Sequence, residues 1–285
     1  MNKRYWIVDA SLCTGCYSCQ IACKDEHVDN DWRPYAAPQP NIGQFWMKLT
    51  EHVRGTLPKV KLHYLPVFCA HCETAPCMEA CPENALYRRE DGLVILDPGK
   101  CRGCGQCAEA CPLGAVYKND ELGIYQKCTG CAHLLDDGNQ IPRCVAACHS
   151  GALRLAEQEE IHNNADELQG ICPAEYGPHV LYKNIPGYFV AGAIYAGEPL
   201  DVVAGARCLL SNEYYKAECI SDGFGDFWFH EVPAGIYTLE IIAENKKYFF
   251  ESAVQVKTSV NLNRMLLQTE NGKSRISIMQ DETQY

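Results

Sequence analysis

Residues 101–112 read Cys101-Arg102-Gly103-Cys104-Gly105-Gln106-Cys107-Ala108-Glu109-Ala110-Cys111-Pro112, four cysteines spaced C-x2-C-x2-C-x3-C and closed by a proline. Three thiols this close in sequence make a tight loop that converges on one iron–sulfur cube. The fourth falls at the start of a helix pointing away, where it ligates the other cluster of a pair. Proline after it suits a turn at that point.

The same pattern recurs three times. Cys13-Cys16-Cys19-Cys23 keeps the spacing, Cys69-Cys72-Cys77-Cys81 widens the inner gap to four residues, and Cys128-Cys131-Cys144-Cys148 widens it to twelve. Pro82 follows Cys81 as Pro112 follows Cys111, whereas Lys24 and His149 follow the fourth cysteines of the outer groups. Small residues in the loops (Gly15, Gly103, Gly105, Gly130) let backbone N–H groups approach cluster sulfurs with no Cβ in the way. Sixteen of the 19 cysteines are used in this way, so the expectation is four [4Fe-4S] clusters and a path for electrons.

Two other uses of cysteine fit less well. Disulfides belong to oxidising compartments and to small secreted domains, and cysteines crowded in threes are poor bridging partners. Structural zinc takes its ligands two and two, whereas these groups offer three and one. Cys172, Cys208 and Cys219 stand outside any group and read as reduced, packed thiols.

At 285 residues the chain exceeds one typical domain. Its formal charge is −11 with thiols counted neutral, and each bound cluster adds roughly two more negative charges. Nucleic-acid binding, which needs a basic face, is disfavoured. No run of 18 apolar residues is present, so no membrane-spanning helix is expected. The start, from Met1 to Asp9, has neither a long apolar stretch nor a twin-arginine pair, which reads as cytoplasmic. The alternative is the periplasm, reached by co-export with a signal-bearing partner.

Along the chain, Tyr5–Asp9 reads as a strand entering the first loop. A long insertion after Cys23 carries Trp32 and Trp46 among prolines, with strand-like stretches around Phe45–Glu51 and Val60–Leu65. Its aromatics suit covering a cluster, facing a partner, or packing on their own domain. Asp91-Gly92 between apolar runs signals a hairpin. Loop, short helix and strand, repeated around the second and third groups, make a two-cluster ferredoxin, with the first and fourth groups forming an outer one around it. The domains expected are therefore 1–156 for the clusters (inner module about 66–118), an acidic, proline-bearing linker over 157–185, and 186–285. In the last, Tyr237, Leu239 and Ile241 alternate with Thr238, Glu240 and Ile242, the period of a strand. Repeated strands between glycine turns predict a β-sandwich or barrel. The fold class expected is thus α+β, two nested ferredoxin-like modules followed by a small all-β domain.

The four groups in this order, with Lys127-Cys128-Thr129-Gly130-Cys131 and Pro142-Arg143-Cys144 in the last and Cys69-Ala70-His71-Cys72 in the second, resemble the electron-transfer subunits of the dimethyl sulfoxide reductase (molybdopterin oxidoreductase) family. The likeness covers roughly residues 1–155. Ser221–Phe229 and Pro233–Leu239 look like a Cna-B or carboxypeptidase-regulatory-like domain. A cluster module followed by such a domain is most similar to the small subunits of the pyrogallol–phloroglucinol transhydroxylase branch, with reductive catechol dehydroxylases as neighbours.

The resemblance implies a non-catalytic subunit of an oxidoreductase, in a heterodimer or larger assembly with a large catalytic chain. That chain would carry molybdenum or tungsten on molybdopterin guanine dinucleotide. An electron donor protein or a membrane anchor, and a phenolic or catechol-type substrate, are also implied. It further implies crossed ligand sets: Cys13, Cys16, Cys19 with Cys148; Cys128, Cys131, Cys144 with Cys23; Cys69, Cys72, Cys77 with Cys111; and Cys101, Cys104, Cys107 with Cys81. The first set would lie nearest the partner's metal and the last farthest from it.

All sixteen positions are filled, which favours net redox chemistry over hydroxyl exchange without electron input. The alternatives are a structural small subunit of a transhydroxylase-type enzyme and a stand-alone polyferredoxin. No catalytic residue is expected on this chain. His71 and His133 read as hydrogen-bond donors near the clusters or as surface residues. Lys127 and Arg102 read either as charges that raise a cluster's potential or as solvated charges.

Overall fold

The computed structural model describes residues 3–139, 141–270 and 273–279. The chain packs as two compact units, Met1–His52 with His63–Ile185, and Val53–Leu62 with Pro186–Tyr285.

The first unit is built from short elements strung between cysteines. In chain order they are β1 (Tyr5–Asp9), α1 (Ser18–His27), β2 (Lys48–Thr56), β3 (Lys59–Val67), α2 (Pro76–Glu79), β4 (Leu86–Arg88), β5 (Val94–Leu96), α3 (Gln106–Glu109), β6 (Val116–Asn119), β7 (Ile124–Lys127), α4 (Ala132–Asp136), α5 (Arg143–Ala146), β8 (Leu153–Ala156), α6 (Gln158–Asn163) and β9 (Val180–Lys183). One turn type explains the internal repeat. Asn84, Gly114 and Gly151 each donate N–H to the carbonyl of the cysteine three residues earlier, Cys81, Cys111 and Cys148. All three adopt positive φ (48°, 56° and 70°), the region that glycine and asparagine tolerate best. Each turn follows a one-turn helix bearing the preceding cysteine of its group (α2 with Cys77, α3 with Cys107, α5 with Cys144) and leads into β4, β6 or β8.

The helices pack in pairs, α1 on α5 and α2 on α3. β4 pairs with β5 and β6 with β7 as antiparallel hairpins, the first being the one signalled by Asp91-Gly92. β1 lies between β8, antiparallel, and β9, parallel. Residues 157–185, expected as a linker, thus contribute a strand to this unit's main sheet. Their acidic, proline-bearing composition concealed a strand whose partner lies at the other end of the chain. Trp6, Trp46, Phe68, Leu93, Ile95 and Tyr182 fill the core. Trp46 is buried with its ring 4.6 Å from His27, and Trp32 stacks on His133 at 4.3 Å. These aromatics of the insertion pack within their own unit.

The second unit is all β: β10 (Tyr188–Ala196), β11 (Asp201–Val202), β12 (Arg207–Ser211), β13 (Lys216–Ile220), β14 (Asp226–Val232), β15 (Gly235–Ala243), β16 (Lys246–Phe250), β17 (Val254–Val256), β18 (Val260–Glu270) and β19 (Lys273–Ile278). Eight run in the order β11-β10-β18-β19-β16-β15-β12-β13, with β14 added to β10 and β17 to β15. Tyr237, Leu239 and Ile241 of β15 are buried, as their alternation predicts. Tyr237 also ties its strand to the preceding turn by donating its hydroxyl to the Pro233 carbonyl (2.8 Å). The tip of the β2–β3 hairpin belongs here too: Asn261 Nδ2 donates to the carbonyls of Thr56 and Leu57 (both 3.1 Å), and Lys59 pairs with Asp226. Among the described residues, no helix is long and apolar enough to cross a membrane.

Candidate functional site

The helix pairing decides which thiols meet. Cys19 has Cys13 and Cys148 as charge neighbours, and Cys13 likewise has Cys148 and Cys16. Cys144 stands among Cys131, Cys23 and Cys128, and Cys77 among Cys69, Cys111 and Cys72. Cys107 has Cys101, Cys81 and Cys104. This last group lines a single cavity whose other walls include Leu86, Leu96 and Tyr125. In every case the fourth cysteine of one run stands with the first three of its partner run.

Backbone donors converge on these sulfurs. The N–H groups of Ala85, Ala115 and Leu153 point at Cys81, Cys111 and Cys148 Sγ at 3.3–3.4 Å, each from the start of the strand after the shared turn. Tyr125 donates to Cys101 (3.4 Å), Gly130 to Cys128 (3.3 Å) and His71 to Cys69 (3.5 Å). Gly130 meets the expectation for loop glycines directly. Gly103 is required for another reason: at φ +72° a Cβ would lie 2.2 Å from the Gly123 carbonyl oxygen. Cys16 and Cys104 are exposed, and the rest are buried or half-buried.

Burial pushes the metal-free thiols up, Cys19 and Cys107 to about 11 and Cys77 to about 12. They hold their protons at neutral pH, so metal binding must displace them. Sulfurs set around a cavity, with N–H donors aimed at them, fit the larger core of a cluster.

A model of the 4Fe-4S dicluster domain matches residues 60–158. The chain is 36% identical over 263 residues to the pyrogallol hydroxytransferase small subunit of Pelobacter acidigallici, covering 87% of this chain and 93% of that one. It is 31% identical over 202 residues to a tetrathionate reductase subunit of Salmonella typhimurium (68% and 77% covered). It is 32% identical over 182 residues to one chain of the anaerobic dimethyl sulfoxide reductase of Escherichia coli (61% and 83%). The protein belongs to this family of iron–sulfur subunits. It contains a ferredoxin-like 4Fe-4S domain.

As a member of that iron–sulfur family the chain presents three further groups. Lys127, at the end of β7, is buried, and its Nζ donates to the carbonyls of Val94 and Cys128 (2.8 Å to the latter). Among the described residues no carboxylate pairs with it. Burial alone would lower its pKa, but the neighbouring Cys69, Cys77 and Cys128 sulfurs outweigh that and raise it. A buried ammonium without a carboxylate partner is costly, and an anionic iron–sulfur core beside Cys69, Cys77 or Cys128 would fit as its counter-charge. Arg102, by contrast, has its side chain 76% exposed and pairs with Glu83 at 3.7 Å.

His71 is also buried, stacked on Trp6 at 5.5 Å, and its Nδ1 accepts the Val94 N–H (3.1 Å). Burial holds the ring neutral, so the proton sits on Nε2, which has no acceptor among the described residues. A cluster sulfur beside Cys69–Cys72 would supply one. His133 is buried on Glu26 (3.0 Å). Neither histidine is a surface residue.

The third group was not foreseen. Cys172 lies beside Cys72, with Cys111 and Cys69 as further charge neighbours, so one thiol outside the four runs stands next to a thiol inside them. Its only sequence signal is position, next to Pro173 in a segment whose pairing with β1 is long-range.

Proposed function

We propose that this chain is the electron-relay subunit of a molybdenum or tungsten oxidoreductase and holds four [4Fe-4S] clusters in crossed sets. The sets are Cys13, Cys16, Cys19 and Cys148; Cys23, Cys128, Cys131 and Cys144; Cys69, Cys72, Cys77 and Cys111; and Cys81, Cys101, Cys104 and Cys107. The observation that carries the reading is the company each fourth cysteine keeps: Cys111 stands with Cys69 and Cys72, and Cys81 with Cys107. Clusters bound there supply one-electron carriers. The chain's own residues fix the sulfurs, donate N–H groups to them and place Lys127 as an interior positive charge. The crossed sets amount to one ferredoxin-like module nested in another, and the all-β unit reads as a Cna-B-like interaction domain.

The catalytic metal, on its bis-pterin cofactor, belongs to a large partner subunit. The relative from Pelobacter, matched over nearly its whole length, favours a phenolic or catechol-type substrate for that partner. It also favours a second reading, a small subunit that supports hydroxyl transfer with no net electron flow. Completeness of all four cysteine sets favours net reduction. The test is to mix the chemically reduced complex with catechol-type substrates and follow the cluster absorbance. Reoxidation matched to product formation supports the relay, and turnover with static clusters contradicts it.

A further inference from the structure

Cys208 and Cys219, both outside the cluster runs, face each other across the β12–β13 hairpin. In the same register, Ser221 donates its N–H to Ala206 O (2.9 Å) and Asn212 to Tyr215 O (2.8 Å). Hydrogen-bonded pairs recur at every second position of an antiparallel ladder, so Cys208 and Cys219 form one of them. Such a pair holds its Cα atoms about 5.5 Å apart, inside the roughly 4.4–6.8 Å that a disulfide spans. Directly opposite residues share one face of the sheet, so the two thiols are neighbours.

Access is asymmetric. Cys208 is fully buried beneath the sheet, with the Ala206 carbonyl 3.8 Å from its sulfur. Cys219 is partly exposed on β13, which ends the strand order of this sheet. The neighbouring Cys208 thiol and the Trp228 backbone favour its thiolate. That is the arrangement of an attacking and a resolving thiol.

We propose that Cys208 and Cys219 form a reversible cross-strand disulfide by exchange with a low-molecular-mass disulfide. Cys219 gives its proton to solvent and attacks one sulfur of the small disulfide. An S–S bond forms to Cys219 as the small disulfide's own bond breaks, and one small thiolate leaves. Cys208 then loses its proton and attacks Cys219 Sγ, expelling the second small thiolate. The protein dithiol and one small disulfide become a protein disulfide and two small thiols, so atoms and electrons balance. The product would staple the all-β unit without touching any of the sixteen cluster cysteines.

The test uses the cluster-loaded full chain, held without oxygen at graded ratios of oxidised to reduced glutathione, quenched, alkylated and mapped by mass spectrometry. The expected result is a 2 Da loss on linked peptides bearing Cys208 and Cys219, at a reproducible ratio and with cluster absorbance unchanged. Cys208→Ala should instead trap glutathione on Cys219. If both thiols of the unaltered chain remain alkylatable at every ratio, or Cys219 keeps glutathione with Cys208 free, the proposal fails.

Discussion

Lys127 sends its ammonium to the backbone carbonyl of Val94, inside the protein and with no carboxylate beside it among the described residues. The charges that neighbour it are the sulfurs of Cys69, Cys77 and Cys128, from two different cysteine sets. Replacing it with methionine keeps the volume and removes the charge. Clusters should still assemble, and the potentials of the two adjacent ones should fall by on the order of 50–100 mV, the effect of one charge at cluster distance in a medium of moderate dielectric. Redox titration followed by EPR measures this, and unchanged potentials would mean that the charge is screened.

Cys111 tests the proposed crossed sets most simply. It closes the run Cys101-Cys104-Cys107, yet its sulfur stands with Cys69 and Cys72. Cys111→Ser should therefore alter the EPR signal that Cys77→Ser also alters, and leave alone the one altered by Cys104→Ser. Grouping of Cys111 with Cys104 would reverse the assignment.

Cys172 stands beside the cluster proposed at Cys69, Cys72 and Cys77. With Cys72 holding a cluster, the neighbouring Cys172 S–H would be placed to donate to its sulfur, and hydrogen bonds to sulfur raise a cluster's potential. Cys172→Ala should keep the full iron content and lower one potential only. Loss of iron would show instead that Cys172 is itself a ligand.

These cases mark how far the sequence could be read. The four cysteine runs and the Asp91-Gly92 hairpin were legible because spacing and turn chemistry are local. So was the alternation of Tyr237, Leu239 and Ile241. The contact of Cys172 with Cys72, the pairing of β9 with β1 and the facing of Cys208 with Cys219 depend on register and long-range packing, which no short motif records. Lys127 was visible as a charge beside a ligand, but its burial was not.

Acid should loosen the first unit before it titrates ordinary carboxylates. Burial, reinforced by His133, lowers the His27 pKa to about 3, against 6.5 for a free imidazole. Between those values the unfolded protein takes up a proton that the folded protein refuses, so stability falls as pH drops below about 6.5. The loss from this group is about 1 kcal/mol between pH 7 and pH 5.5. His27→Gln should flatten that part of the profile in thermal unfolding of the loaded protein under anaerobic conditions. An unchanged slope would place the proton uptake elsewhere.

We propose that this one chain carries four redox-active clusters in series. EPR spin counting during a potentiometric titration of the assembled complex, after subtraction of the catalytic partner's own signals, tests it most directly. About four spins per chain are expected at full reduction, with about 16 iron. A count below four, or clusters that no potential within reach of the partner's metal can reduce, would contradict it.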